Sequence, residues 1–424
     1  MQTLKALPDI FRSSPFLRRN AVFFAGSMAV AFFNYLYYPV LGRLLPTSTF
    51  GEVQVAVSLL MQASTILSVL SLVVVNIIAS SNDEKASQRT IAELEKISTY
   101  IGIGIVIVVV ALAGIIQREL KFDSAWPIIL IAVMFLVNIT GSFRGAFLRG
   151  KNDFTGSSIS GVIASVTKLI LSVIFVVIGL ATAGAIGGII AAQLTAITYM
   201  TLRAKKFGRM KLSRSRKPDF SLIRPQLGYA GFVLVVSMLV TMQVSIDATI
   251  VKYFFTPDEA GAYAGISTIA RIVYFLSNSV AAVMLSAVTL KQTHAKNREM
   301  LRKSLLLTLL ATGVATIFFC LFPTFTIHLL LGSRYDTYAH LLPLLSLVML
   351  IISVAYLFAT YLIALRRKIA IIPAVLGAIV TYASVALYHD TIEQIVVGLL
   401  AGGVIMLIGL GALSFCPSRA ATAE

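Results

Sequence analysis

"VVSMLVTMQVSIDATIVKYFFTPDEAGAY", residues 235–263, holds the pattern that decides the fold. Its first part is an apolar run interrupted by hydroxyls, one amide at Gln243 and one carboxylate at Asp247. Thr256-Pro257-Asp258-Glu259 then reads as a helix start, with a capping threonine, a proline at the first position and acids at the positive end of the helix. Two long apolar helices are thus joined by a turn of a few residues. The same layout occurs earlier in "LGRLLPTSTFGEV" (41–53), where Thr49-x-x-Glu52 is the matching start signal and Gly51 aligns with Gly261. In both copies the helix that follows is expected to run about 30 residues, longer than a bilayer core needs.

The rest of the chain agrees with a membrane-spanning reading. Of its 424 residues 58% are hydrophobic and 12% charged, with a mean hydropathy of +0.90, whereas soluble domains carry about 25% charged residues. Runs such as Tyr100–Ile116, Val162–Leu180 and Ile369–Leu387 are each long enough to cross a bilayer as a helix of roughly 20 residues. Twelve spans are expected, near 21–41, 50–80, 97–117, 125–147, 155–179, 183–202, 225–251, 260–290, 304–322, 337–364, 369–388 and 391–415. The fold class is therefore all-α and integral to the membrane.

The basic residues set the orientation. With the N-terminus inside, twenty-eight of the 35 Lys and Arg residues fall in inner segments and five in outer loops, a strong positive-inside bias. Both termini are expected in the cytoplasm. The net charge of +17 follows from this distribution, so nucleic acid is not an expected partner. Residues 1–20 form an inner N-terminal segment, either a plain tail or an interfacial helix carrying Leu4, Leu7 and Phe11 on one face. A first lobe of helices 1–6 covers 21–202, and a basic linker covers 203–224, either solvated or resting on anionic headgroups. A second lobe of helices 7–12 covers 225–415, and 416–424 are a tail. Six spans per half give the halves one orientation, so the lobes are expected to be related by a pseudo-two-fold along the membrane normal.

The segments YYPVLGRLLPTSTFGEVQ, FRGAFLRGKNDF, ATAGAIGGIIAAQL and IDATIVKYFFTPDEAGAYAGISTIAR resemble the oligosaccharide flippases, the O-antigen and polysaccharide transporters of the multidrug/oligosaccharidyl-lipid/polysaccharide (MOP) exporter superfamily. The resemblance covers most of residues 21–300. It implies two six-helix bundles forming a V around a central cavity, and movement of an isoprenoid-diphosphate-linked oligosaccharide from the inner to the outer leaflet. The related lipid II flippases usually have fourteen helices, which argues against that branch.

Two cations are expected inside spans. Lys168 lies about 20 Å along span 5, on a face with Ser158, Gly161, Ser165 and Ser172. Arg271 shares a face of span 8 with Tyr263, Ser267, Tyr274 and Asn278. Intramembrane charge is costly and marks a cavity or a pairing, and a guanidinium offers a planar donor fork suited to diphosphate oxygens. Substrate-binding candidates lining a cavity are thus Lys168, Arg271, Tyr274 and Asn278. Gln62 on the span 2 stripe of Gln54, Ser58, Gln62, Thr65 and Asn76 joins them, with Asn34 on span 1 and Arg144 at the inner mouth. Amides on such stripes can bind sugars or hold helices together. Asp247 stands in a span with Gln243 one turn away. It is either the ion-pair partner of Arg271, or an H⁺ or Na⁺ coupling site, or an interfacial residue.

No GxxxxGK[ST], HExxH or Cys/His cluster occurs, so no cofactor, metal or ATP hydrolysis is expected. Cys320 and Cys416 fall near opposite faces, too far apart for a disulfide. The outer loops are too short to house a glycan-handling enzyme. The reading is a monomeric flippase of the cell's inner membrane, in contact with membrane lipids and serving cell-surface polysaccharide synthesis. Its energy would come from an ion gradient, the membrane potential or consumption of product. The alternatives are a cation-coupled multidrug exporter of the same superfamily or a membrane-embedded glycan enzyme.

Overall fold

A computed structural model describes residues 15–80, 83–207, 223–290 and 292–416. The interfacial helix expected on Leu4, Leu7 and Phe11, most of the basic linker (208–222) and the tail from 417 lie outside them. The helices are α1 (Pro15–Leu44), α2 (Thr47–Ser80), α3 (Glu84–Glu119), α4 (Trp126–Gly150), α5 (Phe154–Phe175), α6 (Ala181–Ala204) and α7 (Arg224–Ser245). They continue as α8 (Asp247–Phe254), α9 (Pro257–Ala287), α10 (His294–Leu321), α11 (Pro323–Leu330), α12 (Leu341–Ala364), α13 (Ile371–Leu387) and α14 (Ile392–Phe415).

Ten helical stretches among the described residues are long and apolar enough to cross a membrane. One of them, Phe154–Phe207, is a hairpin that turns at Val176–Leu180 and supplies two crossings. With the 30-residue α1, the twelve expected crossings are present. The long second helix of each repeat is borne out too, at 34 residues for α2 and 31 for α9.

Packing divides the chain into two units. The first holds residues up to Leu45, Leu67–Gln117 and Asp123–Leu227. At its centre the α5–α6 hairpin packs backbone to backbone, because α6 presents Gly184 and Gly188 to α5. A Cβ at Gly188 would stand 2.5 Å from the Ser172 nitrogen. Small residues allow this approach, which in lipid replaces the hydrophobic drive between helices. The turn needs Gly179 at φ 94°, where a side chain is strained. Phe147 and Leu148 of α4 pack on Ala196 and Met200 of α6 to complete this core.

The second unit holds Pro46–Ile66, Arg118–Phe122 and everything from Gly228. The first half of α2 therefore packs with it, although the linker would assign that half to the first lobe. The buried centre is α12, flanked by α9, α10 and α14. Gly51 of α2 lies against Gly261 of α9, so close that a Cβ on Gly51 would stand 2.7 Å from the Gly261 Cα. The two glycines matched in the repeat are thus in contact, a place where only glycine fits.

Three local expectations change. Thr256 and Glu259 do form the capping box at the start of α9, but Thr49 and Glu52 form none. The α2 helix begins earlier, with the Pro46 carbonyl accepting from Phe50 N at 2.9 Å, and this places Glu52 inside the packed helix. The span expected at 225–251 is broken at Ile246 into α7 and α8. The outer loop at 322–340 is folded, with Pro323 at the first position of α11 and a 3₁₀ run over Ser333–Tyr338. That run buries Tyr335 edge-on against Phe50.

Candidate functional site

In the first unit, Lys168 projects from α5 toward α1. Its Nζ donates to Asn34 Oδ1 at 2.5 Å and stands 4.3 Å from the centre of the Tyr37 ring and 5.9 Å from that of Tyr38. Tyr37 is buried, and its hydroxyl donates to the Ala185 carbonyl, which also accepts from Ser172 Oγ. The cage is therefore tied to the tight α5–α6 hairpin. Amide oxygen and ring faces satisfy an ammonium without cancelling its charge, and among the described residues no ion pair includes Lys168. Asn34 and Lys168, both expected at the site, are brought together. Tyr38 was not anticipated, and its position one residue after Tyr37 on α1 was the available signal.

In the second unit, Arg271 is spent internally. Its Nη2 meets Asp247 Oδ1 at 2.5 Å and its Nε donates to the Val244 carbonyl at 3.0 Å. The helix break at Ile246 frees that carbonyl from its usual place in the ladder and puts Asp247 in the first turn of α8. Asp247 Oδ2 accepts from Tyr263 Oη at 3.0 Å and from Ser267 Oγ. Asp247 is 0% and Arg271 3% exposed. Of the three roles open to Asp247, the ion-pair partner is the one this geometry displays. The face predicted on α9 is real, but Tyr263, Ser267 and Arg271 converge on a carboxylate, leaving Arg271 3% exposed.

Other expected residues fall as follows. Gln243 does not reach Asp247. Its amide meets Thr381 Oγ1 of α13 at 2.9 and 3.0 Å, where Gly402 leaves room for it. Tyr274 is buried against the Tyr356 ring, and Asn278 keeps a buried, unbonded Oδ1. Gln62 Nε2 donates to Ser245 Oγ at 3.4 Å. Arg144 pairs with Glu95 at 3.4 Å, so its charge is balanced, while Arg149 donates to Ser71 Oγ at 2.7 Å. A buried pair that the sequence reading missed joins Lys252 to Glu52 at 4.0 Å, with Phe122 under the ammonium. The two residues share the repeat motif, which was the one signal for it.

Between α4 and α5, Asp153 caps α5 through Gly156 N (3.0 Å) and accepts from Arg203 Nε at 2.8 Å. The Arg203 bond holds its carboxyl below the usual carboxylate range. A depressed folded value means that the stabilisation is complete above the unfolded value of about 3.9 and is lost as pH falls through the folded one. Asp153→Ala should cost about 1 kcal/mol at neutral pH, the usual worth of a helix cap. Thermal melts should show the gap between wild type and variant closing below about pH 4. A gap independent of pH would contradict the pairing.

A family model described as "Polysaccharide biosynthesis protein" matches residues 16–289. The chain belongs to that family. No curated protein matches its sequence. The solved structures similar to this chain include an inward-facing multidrug resistance MATE family transporter of the MOP superfamily. That match has a TM-score of 0.76 at 12% identity, covering 90% of this chain and 93% of that one. The lipid II flippase MurJ, in an inward closed conformation, gives 0.74 at 12% identity, covering 93% and 88%. A MOP superfamily transporter from Pyrococcus furiosus, described by the reversed polarity of its binding pocket, gives 0.61 at 11% identity, covering 93% and 92%. The fold is thus that of the MOP exporters, as the resemblance implied.

Proposed function

We propose that the protein flips a polyprenyl-diphosphate-linked oligosaccharide from the inner to the outer leaflet of the cell's inner membrane by alternating access. It does so as a monomer with both termini in the cytoplasm, and it supplies cell-surface polysaccharide synthesis. The observation that carries this reading is Lys168, a cation within a membrane span whose partners are an amide and two aromatic rings. Such a charge is tolerated in a membrane where an anion comes to meet it, and a diphosphate is such an anion. A cationic drug would be repelled by the same group, which disfavours the multidrug reading. Membership of a polysaccharide biosynthesis family supports the same cargo.

Lys168 holds the diphosphate in this mechanism, Asn34 and the tyrosine rings keep the ammonium pointed at it, and the polyprenyl chain stays in lipid. Arg271 gives the second unit a fixed geometry rather than a second anion site. Coupling to H⁺ or Na⁺ through Asp247 would require Arg271, Tyr263 and Ser267 to release the carboxylate first.

The test is translocation of a fluorescent undecaprenyl-diphosphate oligosaccharide in proteoliposomes, run beside export of a cationic dye. Flipping of the anionic lipid without movement of the dye is the expected result. Dye export with no flipping would overturn the reading in favour of the multidrug exporter.

A further inference from the structure

On α2, Gly51, Gln54, Ser58, Gln62 and Thr65 recur at intervals of three and four and so share one face. Both ends of that face have neighbours in the second unit. Gly51 touches Gly261 of α9. At the other end Gln62 bonds Ser245 at 3.4 Å, and the Thr65 and Thr241 hydroxyls meet at 3.0 Å. Gln54 and Ser58, between these anchors, are both 0% exposed. Among the described residues neither end of the Gln54 amide has a hydrogen-bond partner, nor has the Ser58 hydroxyl. Thr249, between Ser245 and Lys252 in the chain, also has a hydroxyl that is buried and unbonded among the described residues.

Polar groups buried without a protein partner are costly, and apolar side chains of the same size would fill this space without that penalty. Two such residues side by side on one helix face therefore point to a second state in which they have partners. At the Gln62–Thr65 end the bonds that close the strip are hydroxyl and amide contacts, which a sugar or water can replace at little cost. The Glu52–Lys252 pair closes it above Gln54.

The geometry points to a carbohydrate-binding strip on α2, made by Gln54, Ser58, Gln62 and Thr65, which is sealed here and opens when the first half of α2 parts from α7–α9. It rests on the flippase reading for the sugar and for the topology, which puts the start of α2 at the outer face. The strip is neutral, rich in amide and hydroxyl groups and without a carboxylate, so it suits the sugar portion of the cargo rather than its diphosphate. It would receive the glycan on the exit side.

The experiment uses the full chain with Cys320 and Cys416 replaced by Ala, Ser58→Cys added, and right-side-out vesicles. A membrane-impermeant maleimide applied outside should label Ser58→Cys about tenfold faster than Ser353→Cys, a fully buried control on α12. Undecaprenyl-diphosphate oligosaccharide should slow the labelling about fivefold, and undecaprenyl diphosphate without sugar should not. Labelling no faster than the control would show that the strip never opens and would overturn the proposal. Equal protection with and without the sugar would remove the carbohydrate role. Protection does not require translocation, so sugar-specific protection in a protein that fails to flip would keep the site and sink the flippase reading alone. If Ser58→Cys does not fold, Gln54→Cys reports the same opening. Gln54→Leu, suited to the closed state, should raise the melting temperature and abolish sugar protection of Ser58→Cys, and unchanged protection would overturn the site.

Discussion

Lys168→Ala is expected to slow translocation of a lipid-linked oligosaccharide by about thirtyfold or more while the protein stays folded. Truncating one member of a buried, hydrogen-bonded charge pair costs about 2–5 kcal/mol, and each 1.4 kcal/mol is about tenfold. The pair in question forms only when the diphosphate arrives, so the loss falls on transport. Stability should move little. An intramembrane lysine costs about 2.5–3.5 kcal/mol on insertion scales, and its removal offsets the lost bond to Asn34 and about 0.5–2 kcal/mol of cation–π attraction. Lys168→Gln should behave like the alanine variant, since it keeps the length and loses the charge. Lys168→Arg should retain about a tenth of the rate, because a guanidinium still binds phosphate oxygens but overfills a cage shaped for an ammonium. Wild-type flipping by Lys168→Gln, measured in the same proteoliposomes, would sink the assignment.

The parts legible in the sequence are those set by periodicity and local signals. Apolar runs gave the spans, the Thr256–Glu259 box marked a real helix start, and the repeat pointed to two long helices and to Gly51 and Gly261. Long-range partners were not legible. Asn34 and Lys168 are 134 positions apart, and nothing local says that α1 lies on the lysine face of α5. Gln243 lay one helical turn from Asp247, yet the space left by Gly402 lets its amide bond Thr381 instead. Lys252, just past the span expected at 225–251, is 1% exposed, because the displaced start of α2 turns Glu52 inward beneath it. The ends of helices were the least predictable for the same reason, and α3 runs 36 residues where the apolar run alone suggested 21.

The second large effect belongs to the buried pair. Asp247→Leu leaves a guanidinium that is 3% exposed with no counter-charge, and Arg271→Met leaves a carboxylate dependent on Tyr263 and Ser267. Either change should cost about 3–5 kcal/mol, read as a large fall in melting temperature of the purified protein. The double variant should recover most of that loss, since two apolar side chains of similar volume replace a pair whose own net worth is small. A double-mutant cycle would then show a coupling of several kcal/mol, whereas additive losses would mean that the two charges act on separate partners. The same double variant separates the roles of Asp247. If the carboxylate only orders α8 against α9, the double variant flips its lipid at close to the wild-type rate. If Asp247 couples an ion gradient, the double variant is stable but loses the dependence of flipping on that gradient, because the group that exchanges the ion is gone. Three donors already engage the carboxylate, so the first outcome is the expected one: restored stability together with near wild-type flipping.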